Sequence, residues 1–307
     1  MISSSIFSSI DFKEKNIVTT ELEHHSNFIP WVVKRVKVKV APCETDGSLN
    51  INNVLDLIDC NTALVTITAC SNVTGEIIPL KEIIKRAHEK GALVLVDASQ
   101  YIAHRKLDVK QLDCDFAVFS AHKIFGPTGI GVLYGKAKIL ESLNPQKFGG
   151  DMVSNVKKQE WLSIPNRFEA GTLNLAGIIG LSAAINFIEE IGIDQIDERE
   201  NKLKGYFFNK IQEIDGILLY SREYDSAPII SFYIKGLDSY DIAMFLATKE
   251  ICIRSGKLCA QPFFDRIKKD SLIRISLSFV NTEAEIDFLI NSLKQLQKGW
   301  ANDNYKI

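Results

Sequence analysis

Along the first half of the chain, short apolar runs alternate with segments whose apolar positions recur every three to four residues. The runs predict strands and the wider spacing predicts helices. Asn16-Ile17-Val18-Thr19-Thr20 reads as a short strand. Val32 to Val40 reads as another, with period-two alternation near its end and a basic face that suits solvent. Asn50 to Ile58 reads as a helix, and Ala63 to Thr68 as a buried strand. Leu80 to Lys90 is an amphipathic helix closed by Gly91 as a C-terminal cap. Ala92-Leu93-Val94-Leu95-Val96 is a strand that ends in Asp97. Phe116-Ala117-Val118-Phe119 is a strand that runs into Ser120-Ala121-His122-Lys123 and then Gly126-Pro127-Thr128-Gly129. Strands joined by helical crossovers predict an α/β fold with a mainly parallel sheet covered on both faces.

Periodicity weakens over residues 144–166, where Pro145, Gly149, Gly150 and Pro165 lie among polar residues. That stretch reads as a long surface loop. A helix is expected from Leu175 through Glu190 and another from Gln195 to Glu213. Beyond them Ile217-Leu218-Leu219-Tyr220 and Ile229 to Tyr233 read as strands, and Glu283 to Lys298 as a final helix. The expected organisation is a large domain over residues 1–190 and a smaller α/β domain over residues 191–307.

Composition narrows the class without changing this picture. The 307 residues are 46% hydrophobic and 24% charged, ample for a large core. A net charge of -2 argues against broad nucleic-acid binding. No apolar run approaches the roughly 18 residues of a membrane span. The opening MISSSIFSSIDFKEK does not read as a signal peptide, so the cytoplasm is the expected location. The six cysteines form no C-x-x-C pair, and no zinc spacing is present. Cys60, Cys70, Cys114 and Cys252 sit in or beside apolar stretches and read as small buried side chains.

Candidate chemistry gathers where strands end. Ligands of open α/β sheets bind beyond the carboxyl ends of the strands. Asn72, Asp97 with Gln100, and Ser120, His122 and Lys123 all occupy such ends. A lysine that has lost hydration is more easily neutral, and a neutral amine can form a Schiff base with an aldehyde. An aspartate nearby can keep a pyridine nitrogen protonated. Together they are what pyridoxal phosphate asks of a protein.

The segments ELEHHSNFIPW (21–31), CSNVTGEIIPL (70–80), VDASQ (96–100), LDCDFAVFSAHKIFGPTGIGVLYGK (112–136), RFEAGT (167–172) and RSGKLCAQP (254–262) resemble the cysteine desulfurases. Within the class V aminotransferase family they are closest to the SUF-type branch. The resemblance runs from about residue 16 to the C-terminus, with six motifs in the family's order. It implies the fold type I architecture of pyridoxal phosphate-dependent transferases, and a homodimer. The implied reaction takes sulfur from L-cysteine, leaves alanine, and passes a persulfide to a sulfur-acceptor protein, with no nucleic acid or membrane involved.

The resemblance also implies roles. Lys123 would hold the cofactor's aldehyde carbon, and Asp97 would pair with its ring nitrogen. His24 would stack on the ring, and Gln100 would bond the phenolic oxygen. Ser120 and His122 would bind the phosphate, and Thr172 would reach the phosphate of the partner subunit. Arg274 would clamp the substrate carboxylate, with Asn72 near it and Arg254 lining the site. Cys259 would be the nucleophile; it must react as a thiolate, which Lys257 beside it suits.

Two departures stand out. The family commonly has two histidines just before the cysteine, where this chain has Lys257 and Leu258. Family members also carry about a hundred residues before the EHHSN motif, by domain size; here that motif begins at Glu23. Part of the phosphate cradle belongs to that portion. Three alternatives therefore stay open: a selenocysteine lyase, another class V aminotransferase-type enzyme in which Cys259 is dispensable, or a truncated non-catalytic scaffold or subunit that needs a separate N-terminal piece.

Overall fold

A computed structural model describes residues 2–301 of the chain. Six strands form the larger sheet: β1 (Asn16–Thr20), β2 (Lys37–Ala41), β3 (Thr62–Thr68), β4 (Leu93–Asp97), β5 (Phe116–Ser120) and β6 (Gly131–Gly135). Their order is β2-β1-β3-β4-β5-β6, parallel except for the antiparallel edge strand β6. The order reverses between β1 and β3, and a crevice at the carboxyl ends of these strands follows from that reversal.

Both faces of this sheet are covered. Ile17, Leu64, Leu95 and Phe116 point to one side and pack with Ile6 of α1 (Ile2–Ser9) and Trp31 of α2 (His25–Val32). Val18, Val65, Val94 and Val96 point to the other, against Val54 of α3 (Ile51–Leu55) and Ile83, Ile84 and Ala87 of α4 (Leu80–Glu89). Helices α5 (Val109–Leu112) and α6 (Ala137–Ser142) flank β5 and β6 in the chain. The mainly parallel α/β sheet expected from the sequence is present.

Three local expectations are corrected. Residues 32–36 are not strand: α2 runs to Val32, Val33 N–H still bonds to Ile29 O, and Arg35 turns through φ 56°. The polar stretch 144–166 is not wholly irregular. It contains the hairpin β7 (Val153–Asn155) and β8 (Glu160–Trp161). Cys70 and Cys114 are buried, but Cys60 and Cys252 are exposed, because both lie in connections rather than in the strands beside them.

The chain leaves the large sheet through α7 (Leu175–Ile191), which meets α8 (Ile193–Ile211) at a 74° bend. Leu181 of α7 packs against Ala121 and Ile124, so this helix supports the turn that carries Lys123. The opposite side of α7 is exposed, with Leu175 62% and Ile179 70% accessible. The second sheet is antiparallel, ordered β11-β12-β10-β9, from β9 (Ile217–Leu219), β10 (Ile229–Ile234), β11 (Arg254–Gly256) and β12 (Leu272–Ser276). It packs on α8, α9 (Ser239–Ala247) and α11 (Glu283–Ala301) through Phe207, Phe232, Ile242, Ile273 and Leu293. Helix α10 (Gln261–Ile267) instead joins the core of the large sheet, through Phe263 and Phe264. That docking carries the segment before it, including Cys259, to the crevice. Among the described residues, no single helix is long and apolar enough to cross a membrane.

Candidate active site

Four strand ends and one loop from the smaller sheet converge. After β1, Thr20 Oγ1 accepts from Leu22 N–H at 3.1 Å and donates to Glu23 Oε1 at 2.8 Å. This tight turn sets His24 as the N-cap of α2, its Nδ1 accepting from Ser26 N–H at 3.1 Å. After β3, Ser71 Oγ accepts from the N–H groups of Val73 and Thr74 and folds the loop that carries Asn72. Asp97 closes β4, buried, and accepts from Ser99 N–H at 3.0 Å. Beyond β5, one turn of 3-10 helix over Ala121–Lys123 presents the lysine. Gly126 closes that turn by bonding to Ala121 O. A Cβ at Gly126 would lie 2.9 Å from that oxygen, so the approach needs glycine.

The charges are arranged for amine chemistry. Burial holds Lys123 below the usual lysine range, and Arg274 and Arg254 act the same way against Asp97 and Cys259. Burial likewise lowers His24, with Asp97 opposing, so its imidazole is neutral near pH 7. Arg274 is pushed down to about 10 by burial and by Arg254, and stays a cation.

Arg274 Nη1 donates to Asn72 O at 2.9 Å. Its Nε is buried without a hydrogen-bond partner among the described residues, as is Asn72 Oδ1. A buried guanidinium N–H without a partner is costly, and a bound carboxylate would satisfy it. Asn72 spends its amide nitrogen on Leu258 O at 2.7 Å. What it offers the site is therefore an acceptor oxygen, suited to a ligand N–H or O–H.

Cys259 sits in a strained loop. Arg254 and Arg274 face each other across β11 and β12, an arrangement that costs energy unless anions are near. Past Gly256, Leu258 at φ 48° and Cys259 at φ 57° both take the left-handed conformation that side chains disfavour. Leu258 is buried in the core around Phe263 and Phe264. Its role is to anchor the loop, which explains an apolar residue there. Arg254 Nη2 lies 3.3 Å from Cys259 Sγ. The cation at the sulfur is thus Arg254, while Lys257 points to solvent. The left-handed turn reverses the chain, which adjacency in sequence could not reveal.

Gln100, His122, Lys123 and Arg274 line one cavity of about 270 Å³, together with His104 and Glu200. The last two were not legible in the sequence. His104 Nδ1 and Glu200 Oε2 pair at 2.7 Å, both buried, from positions 96 residues apart with no motif between them. Ser120 is half-buried, and His122 is exposed. Thr172 is exposed at a separate cavity of about 690 Å³, beside Gly129 and Gly131. The structure brings Lys123, Asp97, His24, Arg254, Arg274, Asn72 and Cys259 together and leaves Thr172 apart. The donor set fits pyridoxal phosphate: a desolvated amine, a buried carboxylate, a neutral ring and a guanidinium with a free N–H.

Residues 1–289 match the model of the Aminotransferase class-V family. A cysteine desulfurase of Wigglesworthia glossinidia brevipalpis is 42% identical over 294 residues, 93% of this chain and 72% of that protein. The crystal structure of the cysteine desulfurase CsdA of Escherichia coli superposes with a TM-score of 0.92 at 32% identity, covering 97% of this chain and 76% of that one. A cysteine desulfurase of Thermococcus onnurineus NA1 gives 0.91, also at 32% identity, with the same coverage. The fold, the converging site and these likenesses agree: this chain belongs to the class-V aminotransferase family, and its relatives are cysteine desulfurases.

Proposed function

We infer that this chain is a pyridoxal phosphate-dependent cysteine desulfurase of the SUF-type branch, acting as a homodimer that hands sulfur to an acceptor protein. One observation carries the reading. The Cys259 sulfur and its Arg254 partner, 3.3 Å apart, stand within electrostatic reach of the Lys123 amine and the Arg274 clamp. A transaminating site needs the amine and the clamp but not the thiol.

Lys123 and Asp97 would hold the aldehyde carbon and ring nitrogen of the cofactor, His24 its face, Gln100 its phenolic oxygen, and Ser120 and His122 its phosphate. When bound, pyridoxal phosphate supplies an electron sink for the amino-acid carbon skeleton. The chain's own residues do the rest. Arg274 orients the substrate through its carboxylate. Lys123, half-buried and so more easily deprotonated, moves the proton at the α-carbon. The Cys259 sulfur, beside the Arg254 guanidinium, attacks the substrate sulfur as the thiolate. A sulfur–sulfur bond forms and the carbon–sulfur bond breaks, with the electron pair remaining on carbon. A proton taken up there completes alanine, and the persulfide stays on Cys259.

The homodimer is supported by the exposed apolar side of α7, which begins just after Thr172. Six free thiols suit a reducing compartment, and we propose the cytoplasm. The test is to purify the chain, add pyridoxal phosphate and L-cysteine, and measure cofactor absorbance, alanine, and persulfide on Cys259. All three should appear, and Lys123→Ala should abolish them. A folded chain that fails to take up cofactor would return it to the class of non-catalytic subunits.

A further inference from the structure

The Glu23-His24-His25 triplet sits where the two halves of the site meet, and its members divide the work. Glu23 is fully buried. Its Oε1 accepts from Thr20 Oγ1 at 2.8 Å and from Thr68 N–H at 3.0 Å, at the ends of β1 and β3. Its Oε2 accepts from Asn27 Nδ2 at 2.6 Å, in the first turn of α2. Asn27 Oδ1 accepts from Thr66 Oγ1 at 2.6 Å. The start of α2 is therefore tied to the sheet through a satisfied buried network, which fixes geometry closely. Thr68 lies in register with Asp97, so the same anchor touches the cofactor side.

His24 follows Glu23 and faces Asp97 and Lys123. His25 faces the other way. Its N–H donates to Cys259 O at 2.8 Å, and its Nε2 accepts from Gln261 N–H at 2.9 Å. These bonds bracket Cys259 on both sides of the strained turn. Asn72 holds Leu258 from below, but its contact stops one residue short of the sulfur-bearing position. Two consecutive left-handed residues persist only where their surroundings over-determine them. The imidazole of His25 is the side chain that does this on the α2 side.

We propose that His25 is a positioning residue: it holds the Cys259 loop so that the sulfur stays against Arg254, in register with the Lys123 half of the site. This rests on the desulfurase reading above and deepens it. The backbone N–H of residue 25 remains whatever side chain is present, so the side-chain contribution is the Nε2 acceptor alone. Phenylalanine keeps the ring and loses the acceptor. Glutamine carries an acceptor oxygen to about the position of Nε2.

The experiment uses the purified chain, with and without pyridoxal phosphate. Without cofactor, alkylation of Cys259 by iodoacetamide at fixed pH should slow severalfold in His25→Phe, because the sulfur leaves the Arg254 guanidinium. With cofactor, absorbance and cofactor affinity should match wild type. The kcat for alanine formation should fall on the order of a hundredfold, the size produced by a misplacement of about 1 Å at reacting atoms. KM for L-cysteine should hold, because Arg274 is untouched. His25→Gln should recover most of both rates. The proposal is overturned if His25→Phe leaves Cys259 alkylation unchanged, if it weakens cofactor binding as much as turnover, or if glutamine restores nothing. A wild-type chain that binds cofactor yet forms no persulfide would sink the desulfurase reading instead, and the alkylation comparison would still stand.

Discussion

Replacing Glu23 with glutamine gives a measurable change whose sign and size follow from its surroundings. The carboxyl is fully buried. Burial pushes it up to about 8, hydrogen bonds from Asn27, Thr68 and Thr20 oppose, and Asp97 adds to the rise. The unfolded chain titrates this group near 4.5. The folded state therefore prefers the neutral acid, so its stabilising share is fully present below pH 4.5 and is lost as pH rises through 8. At up to about 1.4 kcal/mol per pH unit, less where the group is half-titrated at either end, that loss amounts to about 3.5 kcal/mol between roughly pH 5 and pH 8. Glutamine cannot ionise. Its carbonyl can keep the bonds from Thr20 and Thr68. The glutamine amide donates where the O–H of the neutral acid does, so in both the Asn27 side chain turns over to accept and its Nδ2 donates to Thr66 Oγ1; the two should differ by about 1 kcal/mol or less. The assay is urea unfolding of the cofactor-free chain, followed by tryptophan fluorescence across that pH range. The variant should unfold near the wild-type midpoint at the acid end and clearly later at the alkaline end. Midpoints that run parallel across the range would show that Glu23 is ionised in the folded protein. Burial would then not hold Glu23 as a neutral acid.

Other expectations concern separate parts of the molecule. Arg274→Gln should raise KM for L-cysteine on the order of a hundredfold while cofactor absorbance persists, since a buried charged clamp is lost; steady-state kinetics check it. If the proposed homodimer forms through the exposed side of α7, Ile179→Glu should sediment as a monomer where the wild-type chain sediments as a dimer in analytical ultracentrifugation. Thiol labelling at pH 8 should be fast at exposed Cys60 and Cys252. Cys43, pushed up to about 12 by burial and by Glu21, and Cys70, pushed to about 12 by burial, should stay unlabelled until the protein unfolds, as peptide mass spectrometry would show.

How much of the site was legible depends on whether its signal is local. Lys123 and Asp97 could be read because each follows an apolar strand, and strand ends are where such sheets place ligands. Cys259 and Arg274 were found by motif, since nothing local separates a reactive cysteine from a buried one. The cation at Cys259 is Arg254 and not the adjacent Lys257, because two left-handed residues follow Lys257 and the turn brings Arg254 to the sulfur. Leu258 looked like a lost imidazole, and the packing makes it a core residue. The His104–Glu200 pair joins the turn after β4 to α8 and left no trace in local pattern.

The sequence by itself determined the elements of the large sheet, the alternation that buries both its faces, and the family. Those are consequences of period, turn chemistry and motif order, which are written over a few residues at a time. Only the tertiary structure decided what surrounds each reactive group. Whether an amine sheds its proton, a carboxyl keeps one, or a thiol meets a guanidinium depends on burial and on charges contributed by distant segments. Glu23, His25 and Arg254 acquire their roles there, because α10 docks on the large sheet and carries the Cys259 loop to the start of α2.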